Sequence, residues 1–535
     1  MDFAQGWGSE SIAGMMKTIV TAFSGILSLL LAYLLWAAAD NWVLHRERKG
    51  PVQWPILGVT LEALKNYQTL NDWVVYYFLR DGLTFSCKMM HLDLTFTADP
   101  VNVKHILKTN FANYDKGKFF HENFEIFLGD GIFNVDGEIW RTQRKTASFE
   151  FASRKLRDFS TVVFRDYSVK LASILARAAT AQQSMDMQDL FMRFTLDSIF
   201  KVTFDYDVGT LQPGLPNIPF AQAFEITNEI TSSRLINPIW KLNRALKIGS
   251  ERVLLQSAKD VDEFIYGVIE AKKAEMANSK TDLLSGKSDL FSRFMRLEED
   301  DSDIQFTDKN FRDTLLNFII AGRDTTAVSL SWFVYRMAQN PEMTARLQQE
   351  LRDFDTVRNW KQQPEGDEGL RRRVLGFAEL LTFDNLVKLQ YLHACILETL
   401  RLHPAVPLDP KHAINDDILP DGTQIKKGSL IYYTPYAMGR MPALWGPDAM
   451  EFKPQRWFVD GVVQTEQPFK FTAFQAGPRI CLGKDSAMLQ LRMVLALLYR
   501  FFTFQIVEGT DIRYRQMATL LLANGLPAKI IKQKN

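Results

Sequence analysis

Cysteine is almost missing from this chain: Cys87, Cys395 and Cys481 are the only three in 535 residues. So sparse and odd a set excludes a disulfide framework and points to a reducing compartment. Charge imbalance is missing too. With 63 Lys and Arg against 62 Asp and Glu, the net charge is +1, and no basic excess calls for nucleic acid. There is no internal repeat and no long low-complexity linker to divide the chain. At 47% hydrophobic and 23% charged, the composition is that of an ordinary globular protein.

One long apolar run is present. Residues from Ile19 to Ala39 are almost wholly apolar, long enough to span a bilayer as a helix. Trp36 and Trp42 suit the interface. Asp2, Glu10 and Lys17 precede the run, whereas His45, Arg46, Arg48 and Lys49 follow it. The positive-inside rule then places the C-terminal side in the cytosol. A cleaved signal peptide is the alternative, since Ala37-Ala38-Ala39 resembles a cleavage site, but the run is too long and its leader is not basic. This reading divides the chain into a short N-terminus (1–18), an anchor (19–39), a basic and proline-rich hinge (40–58) and one large domain (59–535). Pro51 and Pro55 keep the hinge from being helical.

Near the other end stands Phe474-Gln-Ala-Gly-Pro-Arg-Ile-Cys481-Leu-Gly483. Gly477 and Gly483 permit close backbone approach to a ligand. Arg479 offers a forked cation suited to a carboxylate. A helical pattern follows from Lys484, so Cys481 precedes a helix N-terminus, where its thiolate should be favoured. A lone cysteine is usually a small buried hydrophobe. This window, however, resembles the haem-binding signature of the cytochrome P-450 superfamily, Phe-x-x-Gly-x-Arg-x-Cys-x-Gly, with every fixed position filled. The resemblance makes Cys481 the thiolate ligand of a haem b iron, an arrangement that favours O–O cleavage. Gln475 stands where the superfamily often has glycine.

Other segments agree in order. Trp140 and Arg144 are i,i+4 on a helix and share a face. They match the Trp-x-x-x-Arg pair that holds a haem propionate in the family. Thr307 is a candidate N-cap for a long helix in which Phe311 to Met337 contains no proline. Its middle reads Ala321-Gly322-Arg-Asp324-Thr325-Thr326, where Gly322 permits a flat cofactor to approach or the helix to open. Polar groups are poor choices inside a helix. Read alone they suit a solvated face. In the family the motif serves oxygen activation, Thr325 holding a proton-donating water and Asp324 relaying protons from solvent. Glu398 and Arg401, with Arg456, match the family's buried Glu–Arg–Arg cluster, a structural lock. Lys411 aligns with a second propionate contact or is a surface lysine. The stretch carrying Phe119, Phe120, Phe124, Phe127 and Phe133 corresponds to a loop over the haem, or is ordinary core. Residues near 221–240 would roof a substrate channel, touching the membrane or packing as core. Met517 to Gly525 is similar to the hairpin whose tip enters the pocket, and residues 354–377 read as an exposed loop.

The resemblance covers essentially everything after residue 50. It implies a mainly α fold with a smaller β-rich region, preceded by one transmembrane helix and anchored in the endoplasmic reticulum membrane. Blocks such as Leu128–Trp140, Leu402–His412 and Phe469–Arg479 are similar to the plant fatty-acid ω-hydroxylase group. A monooxygenase acting on a long-chain fatty acid is therefore expected, with regiochemistry set near Phe120, Val406 and Leu521. The alternatives are an in-chain hydroxylase of another lipophilic substrate, a haem-thiolate isomerase or dehydratase, or a non-catalytic haem sensor. No flavin or nicotinamide module is evident, so electrons must come from an NADPH–cytochrome reductase, with Arg141, Lys145 and Lys484 on the face it would meet.

Overall fold

The computed structural model describes residues 9–45, 49–237, 239–278, 289–293, 307–355 and 366–533. A helix, Ser9–His45, opens the chain. Its membrane-compatible part, Met16–Trp36, is 21 residues long with no part of it buried, three residues nearer the N-terminus than expected. Of the flanking charges, Asp2, Arg46 and Arg48 lie outside the described residues.

The proline-rich segment expected as a hinge is fastened to the domain. The Gly50 N–H donates to Asp81 (2.6 Å), and Arg80 donates to the Gly50 carbonyl (2.8 Å). Trp54 then pairs with Gly58, and Gly58 with Met89.

Helices make up most of the domain, and among the described residues a five-stranded and a three-stranded sheet accompany them, with two further two-stranded pairs. In the larger sheet the order is Thr84–Met89, Leu92–Thr97, Leu430–Tyr433, Asp409–Ala413, Tyr114–Asp115. Its Leu92–Thr97 and Leu430–Tyr433 strands are parallel, and the other pairs are antiparallel. Phe96 lies opposite both Phe85 and Tyr432, and their rings stack at 5.1 and 5.0 Å. Aromatic pairs across strands fix the register, since a one-residue slip would turn them to the other face. The second sheet joins Phe502–Ile506, Pro527–Lys532 and Ser184–Asp186.

The organising rod is the helix Asp308–Ala338, 31 residues long. Thr307 caps it in a reciprocal capping box with Asn310, as its position suggested. The rod is buried nearly all round, which explains the lack of a polar stripe. At its front, Arg312 donates to the Ile126 and Phe127 carbonyls (3.0 and 3.3 Å) and Asn317 to that of Leu128 (2.9 Å). These are the carbonyls that the helix Gly117–Leu128 leaves unpaired at its own C-terminus. Further along, the Trp332 indole N–H donates to the Leu520 carbonyl (2.7 Å), and Leu520 N–H donates to Ala405 (2.9 Å). The C-terminal hairpin is thereby hung from the same rod.

Two expectations are corrected. The phenylalanine-rich stretch is largely the helix Gly117–Leu128 and not a loop, because Phe120, Phe124 and Phe127 recur at helical spacing. Residues 354–377 are not simply an exposed loop either. Asp367–Leu380 is a helix, and Leu370, Val374, Phe377 and Ala378 bury one face of it while Arg371–Arg373 ride along. The charged residues hide that period. Residues 356–365 of that expectation lie outside the described residues.

Candidate active site

A cavity of about 620 Å³ lies between the rod, the Gly117–Leu128 helix and the larger sheet. Cys481 opens into it. The residue carries accessible surface, yet it sits deep among protein atoms, so that surface belongs to the cavity and not to the outside. Its loop is set by Cys481 N–H donating to Phe474 O (2.9 Å) and Ile480 N–H to Gly477 O (3.0 Å). Gly477 has φ +68°, and a Cβ there would fall 1.9 Å from the Leu107 carbonyl oxygen, so only glycine fits.

Gln475 also has positive φ, +59°, which explains why a glycine is the easier choice at that position. Glutamine is retained through its side chain, whose amide N–H donates to Asp409.

The helix Lys484–Phe501 begins just after the cysteine. A thiol below its ordinary range was expected there. The Gly483 N–H, Arg144 and Lys484 do pull it down, but burial outweighs them and the thiol stands raised. Desolvation of a charge in an enclosed apolar site is the larger effect. A thiol that ligates a metal ion is deprotonated outright by the ion's own charge.

Trp140 and Arg144 come from one face of the helix Gly137–Phe151, and both line the cavity with Arg479. The Arg479 guanidinium lies 4.4 Å from the centre of the Trp140 ring and donates to Asp136 (2.6 Å). Arg144 has no carboxylate within ion-pair distance among the described residues, and burial lowers its pKa. Lys411 is buried, which rules out the surface reading, and lies 3.2 Å from Asp409. It is not part of the cavity wall, whereas Asp409 is. Burial brings the Lys411 amine down to about 7 against the pull of Asp409.

Ala321, Gly322, Thr325, Thr326 and Ser329 form the rod's contribution to the wall. Thr325 donates its hydroxyl proton to the Ala321 carbonyl (2.6 Å). Its oxygen lone pairs are thus left to accept from a water in the cavity. Asp324 lies off the wall, buried. It accepts from Asn228 (2.9 Å) and from Arg323 (2.7 Å), and burial raises its pKa. Gly322 serves close packing of protein: a Cβ there would meet Ile199 at 2.5 Å, and the helix runs on unbroken.

The remaining wall is mostly apolar. Phe120, Phe124, Leu128 and Phe133 face Val406 and Met517 across it, whereas Phe127 packs on Phe224 in the core, and Phe119 is partly buried beside it. Ser232, Leu235 and Ile236 supply the roof, and Met517–Thr519 the hairpin tip. Leu521 is buried behind that tip and not on the wall.

Beneath, Glu398 is fully buried. It accepts from Arg401 (2.8 and 2.8 Å), Arg456 (3.0 Å), Trp457 (3.0 Å) and the Lys453 N–H (2.7 Å). The last two donors were not foreseen. Nor were Lys116, Asp136, Asp409 and Tyr433 as parts of the site. One signal was available for Asp409: it is i,i+2 from Lys411 in a strand, so the two share a face.

An apolar chamber with a single thiol on its floor and uncompensated cations along one edge fits a flat, dianionic iron porphyrin, and it defines a haem-thiolate oxygenase. The sequence profile of the family Cytochrome P450 matches residues 49–531. Cytochrome P450 704B1 of Arabidopsis thaliana is 48% identical over 524 residues, 95% of this chain and 99% of that one. Cytochrome P450 704C1 of Pinus taeda is 44% identical over 529 residues (97% and 100%), and cytochrome P450 94A2 of Vicia sativa is 34% identical over 538 (95% and 99%). The chain belongs to the cytochrome P450 family. It is a monooxygenase, and as such uses O2 and a reductase.

Proposed function

We propose that this chain is a haem b monooxygenase of the endoplasmic reticulum membrane that hydroxylates a long-chain fatty acid at or near its methyl end. The observation that carries the substrate class is the wall itself: Phe120, Phe124, Leu128, Phe133, Val406 and Met517 surround the space beside Thr325 with apolar side chains. A methylene chain is stabilised there by burial of its surface, about 0.8 kcal/mol per CH₂. The similarity to the plant fatty-acid ω-hydroxylase group supports the same class.

Haem, when bound, supplies the reduction of O2 and the attack on the C–H bond. The protein's residues have simpler tasks. Cys481 would ligate the iron, and Trp140, Arg144 and Arg479 would hold the propionates, with Lys411 acting from behind the wall through Asp409. Thr325 would hold a water as hydrogen-bond acceptor, so that the water donates its proton. Asp324 would restore that proton from behind. The phenylalanine wall excludes bulk water. The apolar N-terminal helix is consistent with a membrane anchor. Exposed apolar side chains lie close in sequence to the wall residues Ala63 and Ile236, namely Leu61, Leu64, Ile239, Leu242 and Leu246, and suit a bilayer source of substrate. Arg141 and Lys145 are exposed on the helix that carries Trp140, and Lys484 is exposed beside Cys481, which suits an acidic electron donor.

The test is turnover. The full chain with a reductase, NADPH and a series of fatty acids should give terminal or near-terminal hydroxy acids. A thiolate-type carbon monoxide spectrum with no product from any chain length would refute the substrate class. Absence of that spectrum in protein with bound haem would refute the axial assignment itself.

A further inference from the structure

Asp409 is the most heavily engaged carboxylate on the cavity wall. Lys116 Nζ lies 2.6 Å from one of its oxygens. The Tyr433 hydroxyl donates to the other (2.6 Å), Lys411 Nζ reaches it at 3.2 Å, and Gln475 Nε2 donates to it as well. Asp409, Lys116 and Lys411 are each more than nine-tenths buried. The contacts join three segments: the sheet, the residue before the phenylalanine helix, and the cysteine loop.

The formal charges do not cancel. Two lysines share one carboxylate. Arg479 is matched by Asp136, and Arg144 has no match among the described residues. Among these groups one positive charge is left over at the lysine pair and another at Arg144, and Lys116 and Arg144 both line the chamber. Buried charges demand partners.

We propose that Asp409 is a positioning residue for the cofactor's carboxylates: it presents Lys116, with Lys411, as an incompletely neutralised cation pair and ties that pair to the cysteine loop through Gln475. Lys116 belongs to none of the motifs quoted above. The proposal rests on the haem reading of the preceding subsection.

The test uses the haem-loaded full chain and reads the ferric/ferrous midpoint potential beside the reduced carbon monoxide spectrum. Removing a negative charge favours the ferrous form, and removing a positive charge disfavours it. Asp409→Asn should raise the potential and Lys116→Gln should lower it. The double variant, in which the two changes cancel, should return close to the starting value. A purely structural role has no reason to give opposite signs. Intact thiolate-type spectra with potentials that do not move, or move the same way, would overturn the proposal. If Asp409→Asn fails to retain haem, Lys116→Gln decides alone, since an unchanged potential overturns the proposal and a fall supports it. A wild type without the thiolate-type band would instead mark failure of the haem reading.

Discussion

Neutralising Glu398 should damage this protein more than any other single isosteric change. Both Glu398 and Arg401 have no exposed side-chain surface. In Glu398→Gln the volume is kept, but five donors that converge on one carboxylate meet an amide whose NH₂ is itself a donor. Arg401 retains its bonds to the Ala449 and Glu451 carbonyls (2.6 and 2.8 Å), so it stays charged and buried. Leaving one member of a buried pair uncompensated costs about 3–5 kcal/mol. A domain has about 5–15 kcal/mol in all, so the loss is a large share. Trp457→Phe removes one N–H donor from the same carboxylate together with part of a buried ring, and should cost about 1.5–3 kcal/mol. Urea unfolding of the haem-loaded chain, followed by the carbon monoxide band and by circular dichroism, gives both values. Glu398 is absent from the cavity wall. Turnover per bound haem should therefore be unchanged. A Glu398→Gln cost below that of Trp457→Phe, or a fall in turnover per haem with stability intact, would refute the reasoning.

Gly322→Ala should cost about 1–3 kcal/mol by overpacking, since the new Cβ meets Ile199 at 2.5 Å. Combining it with Ile199→Ala should recover part of both losses, and simple additivity in unfolding measurements would count against the contact. Thr325→Val should leave NADPH consumption running while product per NADPH falls about 100-fold, the lower range of a general acid–base contribution. Thr325→Ser should keep most of the coupling. Burial holds His393 down to about 3, against 6.5 for the free side chain, and holds His403 well below its ordinary value. The unfolded chain therefore binds more protons than the native one below about pH 6.5, and stability should fall as pH drops through that value, by at most about 1.4 kcal/mol per unit per histidine. His393→Gln should flatten the slope measured between pH 7 and 5, and an unchanged slope would remove this histidine from the account.

Contiguous chemistry was legible from the residues; chemistry assembled from distant segments was not. The cysteine loop, the Trp140–Arg144 face and the capped central helix each lie within one window, where period and spacing suffice. Arg479 and Asp136 are 343 residues apart, and Lys116 and Asp409 are 293 apart, so no local pattern could pair them. Gln475 looked like an idle departure until its backbone angle and its bond to Asp409 were seen together. The phenylalanine helix was obscured by an analogy to a loop, although Phe120, Phe124 and Phe127 carry the period. The thiol was judged from the helix terminus alone, and the burial that dominates it depends on the whole chamber.

Arg312 and Asn317 grip one wall of the chamber, and Trp332 grips the other. All three belong to the helix that also carries Thr325. Frame and facing are thereby separate parts. Exchanging Val406 or Met517 re-papers the room without moving the beams, whereas Phe120 also meets Lys116, whose Nζ lies 4.5 Å from the centre of its ring. A lineage, or an engineer, can redraw which substrate fits while the distance between the Thr325 hydroxyl and the Cys481 thiol stays as it was. Changes at Arg312, Asn317 or Trp332 would do the reverse, disturbing every substrate alike.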